Sequence, residues 1–283
     1  FFRTAPTPGT VRPMRIWVTG DGGYADADGM AVRDAYAAYT GANPTDLWLL
    51  LGDNAYPTGN DANYQAALFD MHHDMLRNVP TWSTFGNHEA MAGNSALQTG
   101  PYFAMFSFPT AGEAGGVASG SEAYYSFDYG NVHFVVLDSE HNSKASNSPM
   151  MMWLEADLQA TTADWIVALW HRPPYSKGLL HDSDVEFEEI TMRTSIVPML
   201  EDYGVDLVLC GHSHSYERSY RLDGHDGFSD EFELSVHARD AGDGDPNGNG
   251  PYRKPSAGQS PHDGAAYAVA ASASAVRRTA RNH

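Results

Sequence analysis

Seven side chains between Asp21 and His214 carry the lone pairs that hard and borderline cations take as ligands: Asp21, Asp53, Tyr56, Asn87, His171, His212 and His214. Carboxylate, phenolate and amide oxygens suit the harder of two metals, and imidazoles suit either. The side chains sit in or just after short polar clusters, Gly20-Asp21, Gly52-Asp53, Gly86-Asn87-His88, His171 and Gly211-His212. A glycine precedes all but the His171 cluster, which lets the backbone turn sharply and come close to a bound ion.

Regular elements must bring such donors together. Short β-branched and aromatic runs alternate with amphipathic stretches, the pattern of an α/β domain with buried sheets. Strands are expected at 14–19, 47–51, 132–137, 165–170, 206–210 and 266–271, and helices at 30–39, 64–77, 152–161 and 186–203. Ligands of α/β proteins gather at the carboxyl ends of strands, where the clusters stand, so they are expected to share one site. The Gly-, Ala- and Ser-rich stretch 110–122 and the Gly-, Asp- and Pro-rich stretch 223–262 read as long loops.

Composition narrows the classes. A formal charge of −19 repels polyanions and argues against nucleic acid bound by a basic surface. With 42% apolar residues over 283 positions the chain has material for a sizeable core despite that charge. Its single cysteine, Cys210, forms no intrachain disulfide and reads as a small core residue. No apolar run is long enough for a membrane span.

Block by block, the sequence resembles the purple acid phosphatases of the calcineurin-like metallophosphoesterase superfamily. The blocks run in order as Gly20-Asp21-Gly22-Gly23, Gly52-Asp53-Asn54-Ala55-Tyr56, Gly86-Asn87-His88-Glu89, Ala168-Leu169-Trp170-His171 and Gly211-His212-Ser213-His214, the last continuing into Ser215-Tyr216-Glu217-Arg218. Most of the superfamily begins with Asp-x-His. Here Gly23 takes the place of that histidine and Tyr56 follows Asp53 by three, the exchange that marks the purple branch, in which phenolate on ferric iron gives the colour.

The resemblance implies a four-layer αββα sandwich with two central mixed β-sheets, spanning 13–283, with residues 1–12 the remnant of an upstream linker or fibronectin-like domain. It assigns Asp21, Tyr56 and His214 to a first metal, Fe(III), and Asn87, His171 and His212 to a second, a divalent Fe, Zn or Mn. Asp53 bridges the two. These anionic ligands do not cancel the charge of a trivalent and a divalent ion, so a cationic centre would sit within an acidic chain. The implied reaction is hydrolysis of a small phosphate monoester by a metal-bound hydroxide, with Asn87, His88 and His181 contacting substrate and the two histidines acting in catalysis. Leu180 stands where the family pairs a second histidine with His181, and Glu89 stands where Asp is common. A secreted or periplasmic location follows from family habit, and oligomeric state is open.

Rival readings are a phosphodiesterase acting on nucleotides or phospholipid head groups, and a non-catalytic metal- or phosphate-binding module. Residues 243–249 space oxygen ligands like the first half of a calcium (Ca) loop, but Lys254 stands where that loop needs its Glu, so a solvated acidic loop is preferred. His72-His73 reads as a solvated helix face and His141 as a surface residue. The acids of 182–189 are assigned to the outer surface, away from the site.

Overall fold

The computed structural model describes residues 4–178, 181–240, 254 and 258–271; the stretch 243–249 and the tail 277–283 lie outside them. Three strands, β1 (Ile16–Thr19), β2 (Leu47–Leu50) and β3 (Thr81–Ser83), form a small sheet that is parallel throughout. Parallel neighbours need crossovers. Helix α1 (Ala27–Thr40) supplies the first and the helical stretch 61–76 the second.

The larger sheet is built from β4 (Tyr125–Tyr129), β5 (Val132–Val136), β6 (Trp165–Leu169), β7 (Leu207–Cys210), β8 (Tyr216–Leu222), β9 (Ala238–Asp240) and β10 (Ala265–Ala270). Its order is β4-β5-β6-β7-β10-β8-β9, with β5, β6, β7 and β10 parallel and the edges antiparallel. Both sheets are expected to be mixed; among the described residues the larger one is, and the small one is parallel.

Strand alternation sorts side chains between two cores. Phe134, Val136, Val167, Leu169 and Leu209 join Leu47, Leu49 and Leu51 of the small sheet. Val135, Ile166, Ala168, Val208 and Cys210 join Met150, Leu154 and Leu158 of α2 (Pro149–Ala160) and Met192, Ile196 and Leu200 of α3 (Phe187–Asp202). Each such side chain contributes about 1.5–3 kcal/mol when fully buried. Ser148 caps α2 by accepting from the Met151 N–H, and Pro149 follows at the first helical position, where its missing N–H costs nothing. On the far side of the small sheet, Trp17 stacks on Tyr36 of α1 with ring centres 4.3 Å apart. The result is the four-layer sandwich.

The expected helix 64–77 is broken into Asp61–Tyr64, a π-helical stretch Gln65–Asp70, and His73–Leu76. His72 falls at the break with its ring 4.8 Å from that of Trp48, and burial pushes its pKa down to about 4. Only His73 is solvated. The expected loop 223–262 contains helical turns at Ser229–Glu231 and Leu234–His237 as well as β9.

Candidate metal centre

The polar clusters do converge. Asp21 follows β1, Asp53 and Tyr56 follow β2, Asn87 follows β3, His171 follows β6, and His212 and His214 follow β7, all at carboxyl ends of parallel strands. One group of donors surrounds the Tyr56 hydroxyl, which lies 3.1 Å from Asp21 Oδ1, 3.0 Å from Asp53 Oδ2 and 3.0 Å from His214 Nε2. Burial, reinforced by the Asp21 and Asp53 charges, holds the phenol pKa far above its usual value. Two carboxylates therefore compete for one hydroxyl proton, an arrangement a cation would relieve. Tyr24 stacks on the Tyr56 ring at 4.4 Å and His88 meets it edge-on, so the ring cannot swing away freely.

A second group faces it. His171 donates its Nδ1–H to the Leu51 carbonyl at 2.8 Å, and His212 donates Nε2–H to Glu186 at 3.0 Å. Their remaining nitrogens therefore present lone pairs. His171 Nε2 and His212 Nδ1 lie 3.2 Å apart and each is 2.9 Å from Asn87 Oδ1. With both rings neutral these three atoms are all acceptors, a set that fits a positive ion. Without an ion, the burial of His171 is offset by the Asp53 and Asp21 charges, which raise its pKa toward the protonated form. Asp53 Oδ1 approaches His171 Nε2 at 3.5 Å, so its two oxygens divide between the two groups. Burial would raise the Asp53 pKa, but the His171 and His88 charges and the His88 N–H hydrogen bond hold it below the usual carboxylate value.

The backbone is forced into this shape. Asp21, Asp53, His212 and His214 have φ of 57°, 53°, 71° and 52°, the left-handed region, which costs of order 1 kcal/mol or more each. Crossed hydrogen bonds sustain it: His212 N–H donates to Asp21 Oδ2 at 2.7 Å, and Asp21 N–H to the Gly52 carbonyl at 3.1 Å. A Cβ on Gly52 would sit 2.6 Å from His171 Nδ1, and one on Gly86 would sit 2.4 Å from Asp53 N. Close approach therefore requires glycine at both. Glu89 accepts from the N–H groups of Gly86, Asp53 and Asn54 and from the Tyr64 hydroxyl, tying the β2 and β3 loops together.

His88 and His181 also reach the site. His88 donates Nδ1–H to the Pro57 carbonyl at 2.6 Å, and its Nε2 stands 3.8 Å from Asp53 Oδ2. The His181 ring centre is 3.9 Å from that of His212, and its Nδ1 contacts Glu186 Oε1 at 2.5 Å. Glu186 and Arg172 are the residues that sequence reasoning missed. The dense acidic run 182–189 does not lie wholly outside the site: Glu186 reaches into it, its pKa held down to about 2 by hydrogen bonds from His212 and His181. Arg172 Nη1 lies 2.9 Å from Glu186 Oε2. The available pointer was position, a cation directly after His171 and an acid five residues past His181.

The family profile described as calcineurin-like phosphoesterase matches residues 14–216. Purple acid phosphatase 15 of Arabidopsis thaliana is 31% identical over 251 residues, which cover 78% of this chain and 44% of that one. A probable inactive purple acid phosphatase 1 of the same plant is 26% identical over 241 residues, covering 77% and 38%. The structure of purple acid phosphatase PPD1 from yellow lupin (Lupinus luteus) seeds shares the fold with a TM-score of 0.64 at 19% identity, over 97% of this chain and 46% of that one. The chain thus spans less than half the length of each of these relatives. With its matched region running through every cluster of the site, the chain belongs to the calcineurin-like phosphoesterase family and is a purple acid phosphatase-like member of it.

Proposed function

We propose that the chain hydrolyses phosphate esters, monoesters foremost, at a dinuclear metal centre. The observation that carries the proposal is the position of Asp53, whose Oδ2 serves the Tyr56 group while Oδ1 faces His171. Asp21, Tyr56 and His214 would hold one ion, Asn87, His171 and His212 the other, and Asp53 both. Bound ions of this kind lower the pKa of water, orient a phosphoryl group and stabilise charge on its attacking and leaving oxygens.

The chain's own groups then divide the remaining work. His88, with Nδ1–H given to Pro57, keeps Nε2 for a phosphate oxygen beside Asp53. His181, with Nδ1 on Glu186, keeps Nε2 for proton exchange with the leaving alkoxide. Leu51 and Glu186 fix the ring orientations of His171 and His212, so the lone pairs facing the ions need no reorganisation.

Rates on the mono- and diester forms of one aryl phosphate test the reading, with the monoester faster. A faster diester would make the chain a phosphodiesterase, and no turnover of either by metal-loaded protein would leave a binding module. Tyr56 also proposes iron as the first metal: a visible absorption band should vanish in Tyr56→Phe, whereas a colourless, iron-free and fully active protein would overturn that choice.

A further inference from the structure

One ring nitrogen each of His181 and His212 and a Glu186 oxygen lie within 4.8 Å of one another, a constellation able by its donor types to take an ion of its own. A guanidinium already occupies its edge. Arg172 Nη1 is 2.9 Å from Glu186 Oε2 and 3.1 Å from His212 Nε2, while its Nε donates to Glu140 Oε1 at 2.9 Å. The Arg172 and Glu140 side chains are only 13% and 7% exposed, so neither charge can turn to water without breaking the array.

We propose that Arg172 is a positioning residue whose fixed charge takes the place of a third metal ion beside the dinuclear centre; the inference rests on the dinuclear reading above. Anchored by Glu140, the guanidinium holds Glu186 so that one oxygen receives the His181 proton and the other receives the His212 Nε2 proton. Glu186 Oε2, accepting from both Arg172 Nη1 and His212 Nε2, keeps the His212 proton on Nε2 and its Nδ1 lone pair toward Asn87 and His171. The 3.1 Å approach of Nη1 to Nε2 is thus that of two donors sharing one acceptor rather than a bond between them. An arginine serves because its planar fork reaches two carboxylates at once and stays charged at any working pH. With the charge removed, Glu186, His181 and His212 are open to a divalent cation, which would bind His212 Nε2 and release its proton to solvent.

The test equilibrates the full chain with saturating Zn²⁺ and measures zinc per chain together with kcat and KM. Arg172→Met should retain one more zinc per chain than the wild type and lose about 10- to 100-fold in kcat with little change in KM. Arg172→Lys, which keeps a positive charge beside Glu186, should retain the wild-type zinc count and recover most of kcat. Arg172→Gln keeps hydrogen-bonding groups without the charge and carries the same expectations if the methionine variant does not fold. Either an unchanged zinc count or an unchanged kcat in the charge-removed variant overturns the inference. The wild-type count of iron and zinc together tests the dinuclear reading separately, because the role of Arg172 is read from the difference in zinc between variant and wild type.

Discussion

Two buried imidazoles of this protein touch carboxylates and reach opposite charge states. His133, on β5, gives Nδ1 to Asp128 at 2.7 Å and Nε2 to Asp157 at 2.9 Å. Burial disfavours its charge, but the two carboxylates more than offset that and raise its pKa to about 9. His212 is buried as well and bonds to Glu186, yet its pKa falls to about 3, because burial is joined by His171, Arg172 and His181. Burial alone therefore decides neither state; the count of charges around the ring does. His133 is held as an imidazolium at neutral pH and binds β4, β5 and α2 together, and Asp157 extends the tie to the 110–122 loop through the Val117 N–H. His212 keeps one nitrogen unprotonated and aimed at the centre.

The largest effects should separate the two places by what they damage. Asp53→Asn removes the carboxylate shared by both donor groups and should cost about 10³-fold or more in turnover, the scale of several kcal/mol of charge stabilisation. His133→Leu should leave turnover within about two-fold, since catalysis draws on none of its bonds. That same variant strands Asp157 and Asp128 without a counter-charge and should lose about 3–5 kcal/mol of stability, read as a fall in Tm of about 10 °C. Full activity in Asp53→Asn, or a large activity loss in folded His133→Leu, would erase the contrast.

A pH series sharpens it. The folded pKa of His133, about 9, lies above the unfolded value of about 6.5. The imidazolium thus contributes stability, of order 3 kcal/mol, that is fully present below about pH 6.5 and lost as pH rises through about 9. Urea unfolding at both ends of that window should show the decline in the wild type and a flatter profile in His133→Leu. Parallel profiles would mean that the two carboxylates do not hold the proton.

The sequence made the site more legible than the frame around it. Each candidate donor except Asn87 lies within a few residues of the end of a hydrophobic strand, so local pattern singled out Asp21, Asp53, Tyr56, His171, His212 and His214 without knowledge of sheet order, and Asn87 through its own polar cluster. Strand β3 is three residues long and β8 alternates polar residues on a largely exposed face, so neither carries a clear hydrophobic run. His72 and His73 are adjacent on a helical path, about 100° apart, and one word for both could not be right. Glu186 was hidden for another reason. A carboxylate in an acidic run looks solvated until the fold brings Arg172, His181 and His212 against it and sets it between two imidazoles.

The smallest expected effect concerns the charge of −19. A field of that sign opposes the approach of a phosphate ester, and salt should weaken the opposition, because the Debye length shrinks to about 8 Å at physiological ionic strength. The acids nearest the centre do not add to this outer field in full. Glu186 shares its charge with Arg172, and Asp184 lies on Lys177 and Ser229. What remains is the diffuse surface, at distances where screening is effective, whereas contact between a phosphate and bound ions is short and only slightly screened. Raising sodium chloride from about 0.02 to about 0.2 M should therefore leave kcat/KM for a dianionic aryl phosphate unchanged or raise it by no more than about three-fold. A two-fold or greater fall would mean that exposed cations, not a cationic centre enclosed by acids, collect the substrate.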